Sequence, residues 1–217
     1  LKDYFISYTQ QDAGFNQTVN EHILEVEMKP KVYELVKRLK RDLIVEGREE
    51  VILADTSVKL QNKIHQLCSG TVKFESGNSM TIDNSKGLFI KEHFKGKKIA
   101  IFYLFKEEFL LLKNIFPNFT ESPEEFNQSN DLVFLGQIRS SREGVNLSSA
   151  DALIYYNIEF SALSYIQGKD RMTSKERTKD NNVYFIFAKG GIEKHIYKRV
   201  SNKLDFTNSY FKKINGK

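Results

Sequence analysis

Two short runs hold the side chains best suited to chemistry. The first is Arg139-Ser140-Ser141-Arg142-Glu143-Gly144, with Asn146 just beyond it. It sets guanidiniums and hydroxyls beside a glycine that can take positive φ or let a phosphate approach the backbone closely. The second is Gln167 with Arg171, four residues apart, so that on a helix both project from one face a turn apart. Each run also has a plainer reading. The first has the composition of a polar turn, in which Arg142 and Glu143 form a surface pair worth little. In the second, Arg171 can pair with Asp170 or Glu176 on the surface.

What must position these residues is a pair of buried strands and a helix. Residues 134–138 and 152–156 are apolar enough for buried strands. After Asn157 the spacing turns helical, with Leu163, Ile166 and Met172 near one face and Gln167, Asp170 and Arg171 near the other. Upstream, a helix is expected from 85, capped by Asp83 or Ser85 and stopped at Gly96. A strand follows over 97–105, then a helix over 107–116 ended by Pro117, and an acidic connector over 121–131. A strand at 182–187 and a helix after Gly191 complete a strand–helix alternation. That alternation predicts an α/β fold, a parallel sheet flanked by helices, with ligands at the carboxyl ends of the strands.

Residues 1–82 read as a mostly helical lead-in. Residues 23–26 suit a short strand. Pro30 opens a helix with Val32, Leu35, Val36, Leu39 and Leu43 on its inner face and Lys37, Arg38, Lys40 and Arg41 outside. That basic face is either solvated or directed at DNA. The helix is expected to end at Gly47. A second helix is expected over 51–67, and a small hairpin over 71–84, turning at 75–78. The tail, 206–217, is basic and expected to be loosely ordered.

Composition narrows the class. In 217 residues, 40% hydrophobic and 28% charged content is that of an ordinary globular chain with one sizeable core. No run approaches the length of a membrane span, and no signal-peptide pattern opens the chain. The start at Leu1 is read as a cut from a longer protein. The single cysteine, Cys68, excludes an internal disulfide and a Cys-rich zinc site and favours a reducing cytoplasm. Cys68 reads as a small buried residue. The four histidines, His22, His65, His93 and His195, have no metal-ligand spacing, so no metal site is expected. A net charge of +5 tilts the expectation towards an anionic partner, nucleic acid above all. No Gly-x-x-x-x-Gly-Lys-Ser/Thr loop occurs: the Gly-Lys pairs at 96, 168 and 216 have no glycine five residues earlier. Nor is there an Asp-Glu pair suited to holding magnesium.

The run from 131 to 179 resembles the second RecA-like domain of superfamily 2 helicases, in the Swi/Snf-like branch found in phages and prophages. REGVNLSSADALIYYN looks like motif V, with Gly144, Asn146 and Leu147 on its fixed positions. SYIQGKDR looks like motif VI, with Gln167 and Arg171 on the Gln-x-x-x-Arg spacing. KKIAIFYLFKEEFLLLKNIF looks like motif IV, and 51–67 resembles the lead-in helix of the same enzymes. The resemblance implies a RecA-like fold with a lead-in over 1–82, a second RecA-like domain over 83–205 and a tail over 206–217. It further implies that ATP and magnesium are held mainly by an N-terminal RecA-like domain of the parent chain, so that this chain alone is inactive. Within the shared site Arg171 is the expected arginine finger, and Gly144, Asn146 and Gln167 the nucleotide contacts. Arg139, Ser140 and Ser141 are the expected contacts to DNA phosphates, in a bacterial or phage-infected cytoplasm. The family's second arginine, three residues after the first, is Ser174 here; Arg177, or Lys175, is the expected substitute if the chain leaves helical geometry. The competing reading is a RecA-like binding or docking module without catalysis. A methyltransferase, suggested by Asn157-x-x-Phe160, lacks both prolines of that motif and a glycine-rich cofactor loop.

Overall fold

The computed structural model describes residues 18–141, 145–174, 177 and 179–216. Its centre is a six-stranded, fully parallel sheet. In chain order its strands are β1 (Val19–Val26), β6 (Ile99–Tyr103), β7 (Phe119–Thr120), β8 (Val133–Gln137), β9 (Ala152–Tyr155) and β10 (Asn181–Ala188). Across the sheet the order is β1-β10-β9-β6-β8-β7. The central strands β6 and β9 are buried along their whole length, which is why they read as unbroken apolar runs. Alternate residues feed two layers. Phe102, Tyr155 and Phe185 face one side; Ile101, Ile154 and Ile186 face the other.

The second of those faces is covered by α3 (Ser85–His93) and α4 (Lys106–Ile115). The first is covered by α1 (Pro30–Asp42), α2 (Ser57–Cys68), α5 (Pro123–Gln128), α7 (Ala162–Lys169), α8 (Glu193–Val200) and α9 (Asn208–Ile214). A one-turn helix, α6 (Ile138–Ser141), follows β8 directly. Two antiparallel ribbons, β2 (Ile44–Glu46) with β3 (Val51–Leu53) and β4 (Thr71–Lys73) with β5 (Ser79–Thr81), complete the molecule.

Several expectations change here. The helix expected from Pro30 to Gly47 stops at Asp42, where Leu43 takes φ 60° and its N–H returns to Leu39. The helix expected over 51–67 starts only at Ser57, with the Thr56 hydroxyl accepting from Lys59 N at 3.2 Å. The β-branched residues between, Ile44, Val45, Val51 and Ile52, pair as a ribbon instead. The acidic connector contains α5, which has Pro123 in its first turn and a Ser122 cap accepting from Glu125 N at 3.2 Å. The tail expected to be loose forms α9, capped by Thr207 and seated by Phe211, which is 2% exposed. The strand expected near 23–26 is longer and belongs to the main sheet: β1 pairs with β10 over eight residues, so part of 1–82 shares the sheet carried by 83–205.

Candidate functional site

The residues singled out by the sequence collect at opposite ends of the sheet. Because all strands are parallel, α7 must run back from the carboxyl edge to the amino edge. It starts at Ser161, whose hydroxyl accepts from Ser164 N at 3.3 Å, and ends in a 3-10 turn over Asp170–Met172. Met172, fully buried, anchors that turn. There Leu147 N donates to Arg171 O at 2.9 Å, so the run after Gly144 and the end of α7 meet through one backbone bond.

Arg171 is partly exposed. Its Nε donates to Gln167 O at 2.7 Å, and its two terminal nitrogens have no partner among the described residues. The Gln167 side-chain oxygen is buried without a partner. Asn146 is exposed. Its Oδ1 accepts from Ser148 N at 2.9 Å, and its backbone oxygen accepts from Asn127 Nδ2 at 2.9 Å. Gly144, Lys175 and Glu176 lie outside the described residues. A guanidinium, a carboxamide and an unsatisfied oxygen thus share the amino edge, not the carboxyl edge the sheet type suggested. The guanidinium and the carboxamide nitrogen can donate to phosphate and hydroxyl oxygens, and the free oxygen can accept from a hydroxyl. No carboxylate pair stands among them to take magnesium, and no metal-holding group of three His, Cys, Asp or Glu occurs among the described residues.

Arg177 does not fit the role of second finger. The chain leaves helical geometry at Thr173, as such a substitution requires, but Arg177 then turns inward and is only 7% exposed. Its Nε donates to Lys179 O at 3.1 Å, and its terminal nitrogens donate to Ser148 O, to Ala150 O at 2.8 Å and to Asp180 O at 2.8 Å. Burial lowers its pKa, opposed by Asp151 and Asp180. Those four carbonyls make it a clamp between the loop before β9 and the chain leading into β10. Beside it, Asp151 accepts from Lys98 N at 2.8 Å and Lys179 Nζ at 2.5 Å, at the floor of a polar cleft of about 500 Å³. Burial pushes the Asp151 carboxyl up, but Lys179 and the Lys98 amide outweigh it and hold the pKa below its ordinary value.

At the carboxyl edge the three expected phosphate contacts separate. Arg139 is exposed. Ser140 is exposed too, but its hydroxyl donates to Gln137 O at 3.1 Å. Ser141 is 5% exposed and packs over Gly136, where an added Cβ would stand 2.4 Å from its Oγ. The phosphate role expected of Ser141 is therefore not available to it: the turn of α6 points that hydroxyl into the protein. Sequence reasoning missed the groups that surround Arg139. Glu159 Oε1 accepts from Arg139 Nε at 2.6 Å across twenty residues of sequence. His65, 1% exposed, stacks on Phe160 at 4.8 Å and lines a cavity of about 150 Å³ with Gln137, Arg139 and Glu159. Burial pushes the His65 pKa down to about 3. Glu108, wholly buried and raised in pKa by that burial, accepts from Leu104 N (2.7 Å), Phe105 N (3.0 Å) and Asn157 Nδ2 (2.6 Å). Only spatial neighbourhood reveals these contacts. A pocket of about 530 Å³ between α1 and the ribbons touches none of these groups.

The chain superposes on a solved structure, the C-terminal part of the Fun30 ATPase domain. The TM-score is 0.67 at 16% identity, covering 92% of this chain and 96% of that one. The fold is RecA-like: a parallel sheet flanked by helices. In sequence, the chain is similar to human chromatin-remodeling ATPase INO80, 35% identical over 80 residues, and to helicase SWR1 of Saccharomyces cerevisiae, 30% identical over 102 residues. These matches cover 36% and 42% of this chain but only 5% and 7% of the relatives' lengths. No family model matches the chain. No helix among the described residues is long and apolar enough to cross a membrane.

Proposed function

We propose that this chain is the C-terminal motor lobe of a DNA-dependent ATPase, a helicase or translocase of the Swi2/Snf2 kind. Its ATP site is completed by an N-terminal RecA-like domain that supplies the phosphate-cradling loop and holds most of the nucleotide and its magnesium. The observation that carries this reading is the backbone bond from Leu147 N to Arg171 O, which ties the chain just after Asn146 to the end of α7 at the amino edge, with the Arg171 terminal nitrogens unengaged among the described residues. A guanidinium so placed acts as the finger: it stabilises charge spreading over phosphoryl oxygens in the transition state, worth about 10³–10⁵ in rate in related enzymes. Gly144, Asn146 and Gln167 contact the nucleotide. Arg139 grips a DNA phosphate at the far end of the same run, so that closure of the two lobes around ATP shifts the grip along the strand. A phage or prophage source rests on the sequence resemblance alone, and a cytoplasmic site of action on that resemblance and the single cysteine.

One observation favours a second reading, a RecA-like docking or DNA-binding module without turnover. Ser174 replaces the second arginine and Arg177 faces inward, leaving Arg171 as the single candidate finger among the described residues. DNA-stimulated ATP hydrolysis by the complete protein carrying this sequence separates the two. The motor reading expects Arg171→Ala to abolish turnover by about 10³-fold or more while ATP binding persists. No ATPase activity in the wild-type protein, or full activity in Arg171→Ala, overturns it and favours the module.

A further inference from the structure

Arg139 is held from one side only. Its Nε donates to Glu159 Oε1 at 2.6 Å, its two terminal nitrogens have no partner among the described residues, and 70% of its side chain is open. Glu159 is the reverse case. Its side chain is 11% exposed, and its second oxygen is buried with no hydrogen-bond partner. The loop bearing it is fixed on both flanks. Ile158 is fully buried, Phe160 O accepts from Phe206 N at 2.8 Å, and Asn157 is tied to the buried Glu108. A rigid carboxylate therefore meets a mobile type of side chain at its Nε edge, where a single short bond fixes the direction of the fork.

We propose that Glu159 is the positioning residue for Arg139, presenting its terminal nitrogens as a preset fork for two oxygens of a DNA phosphodiester. The inference rests on the reading of Arg139 as a backbone contact. An unrestrained arginine must be ordered when it binds; a guanidinium already oriented loses less freedom and keeps its bidentate geometry. The competing effect is plain electrostatics: a carboxylate beside a phosphate site repels DNA. The two effects have opposite signs in the same variant.

The test is binding of the complete protein to a short fluorescein-labelled DNA duplex, titrated at several potassium chloride concentrations. Arg139→Ala is expected to weaken binding about tenfold, the worth of a charge-assisted contact, and to lower the salt slope by about 0.9. Glu159→Ala is expected to weaken binding about fivefold, the ordering of one long side chain. Glu159→Gln, which keeps an oxygen acceptor for Nε, is expected to stay near wild type. In Arg139→Ala, adding Glu159→Ala is expected to weaken binding no further. If both Glu159 variants instead tighten binding, electrostatics governs and the positioning role is overturned while Arg139 remains a contact. If Glu159→Ala weakens binding equally with Arg139 already removed, its effect is structural, and the positioning role again fails. An Arg139→Ala variant with unchanged affinity and slope overturns the backbone contact itself, and with it the inference.

Discussion

Replacing Arg177 by alanine removes the buried cation that joins Ser148, Ala150, Lys179 and Asp180. A hydrogen bond to a charged group contributes about 1.5–3 kcal/mol net, but four on one side chain are not additive. Removing one partner of a buried charged network costs about 3–5 kcal/mol. Here the carbonyls of Lys179 and Asp180 belong to exposed residues that water can reach once the guanidinium is gone, so the lower end applies, about 3 kcal/mol. For a chain of this length that corresponds to a fall in Tm of about 6–12 °C. Arg177→Lys keeps the charge but not the fork, and is expected to recover less than half. Arg171→Ala removes a partly exposed side chain bonded, among the described residues, only to its own helix, and should stay within about 0.5 kcal/mol of wild type. Thermal unfolding followed by circular dichroism measures all three. An Arg177→Ala chain that melts with wild type, yet loses ATP hydrolysis as Arg171→Ala does, would refute the clamp and restore Arg177 as a phosphate ligand.

His65 is neutral in the folded chain because burial holds its pKa near 3, against 6.5 for a solvated histidine. Below pH 6.5 the unfolded chain takes up a proton that the folded chain refuses, so stability is full above that pH and falls as pH drops, by about 2 kcal/mol at about pH 5. His65→Phe, which keeps the ring stacked on Phe160, should lessen the loss of Tm between about pH 7 and about pH 5; equal acid sensitivity in both proteins would count against the assignment. At Gly168, an added Cβ would stand 2.2 Å from the Tyr155 hydroxyl, which is buried and unpartnered. Gly168→Ala should therefore destabilise by about 1–3 kcal/mol. Tyr155→Phe alone should be neutral or stabilising. The double variant should recover most of the loss in urea denaturation, and a purely additive result would place the strain elsewhere.

The sequence by itself determined the sheet's core and the order of its main elements. Apolar runs at 99–103, 133–137, 152–155 and 181–188 can be satisfied only as strands covered on both faces, and the helical spacings between them force parallel crossovers. It also carried Arg171 and Asn146 as candidates, through the resemblance of their surroundings to motifs VI and V. What only the tertiary structure decided is which of these groups remain available. Arg177 and Ser141 look as suitable as Arg171 and Ser140 in a string of letters. Arg177 is buried against the loop before β9, whose Ser148 and Ala150 carbonyls lie 29 and 27 residues away, and Ser141 is turned onto Gly136 by the short helix that follows β8. The same holds for Glu159 beside Arg139, His65 beside Phe160, and β1 beside β10. Each pairs residues whose separation in sequence leaves no local signal, and each is settled by how the helices cover the sheet.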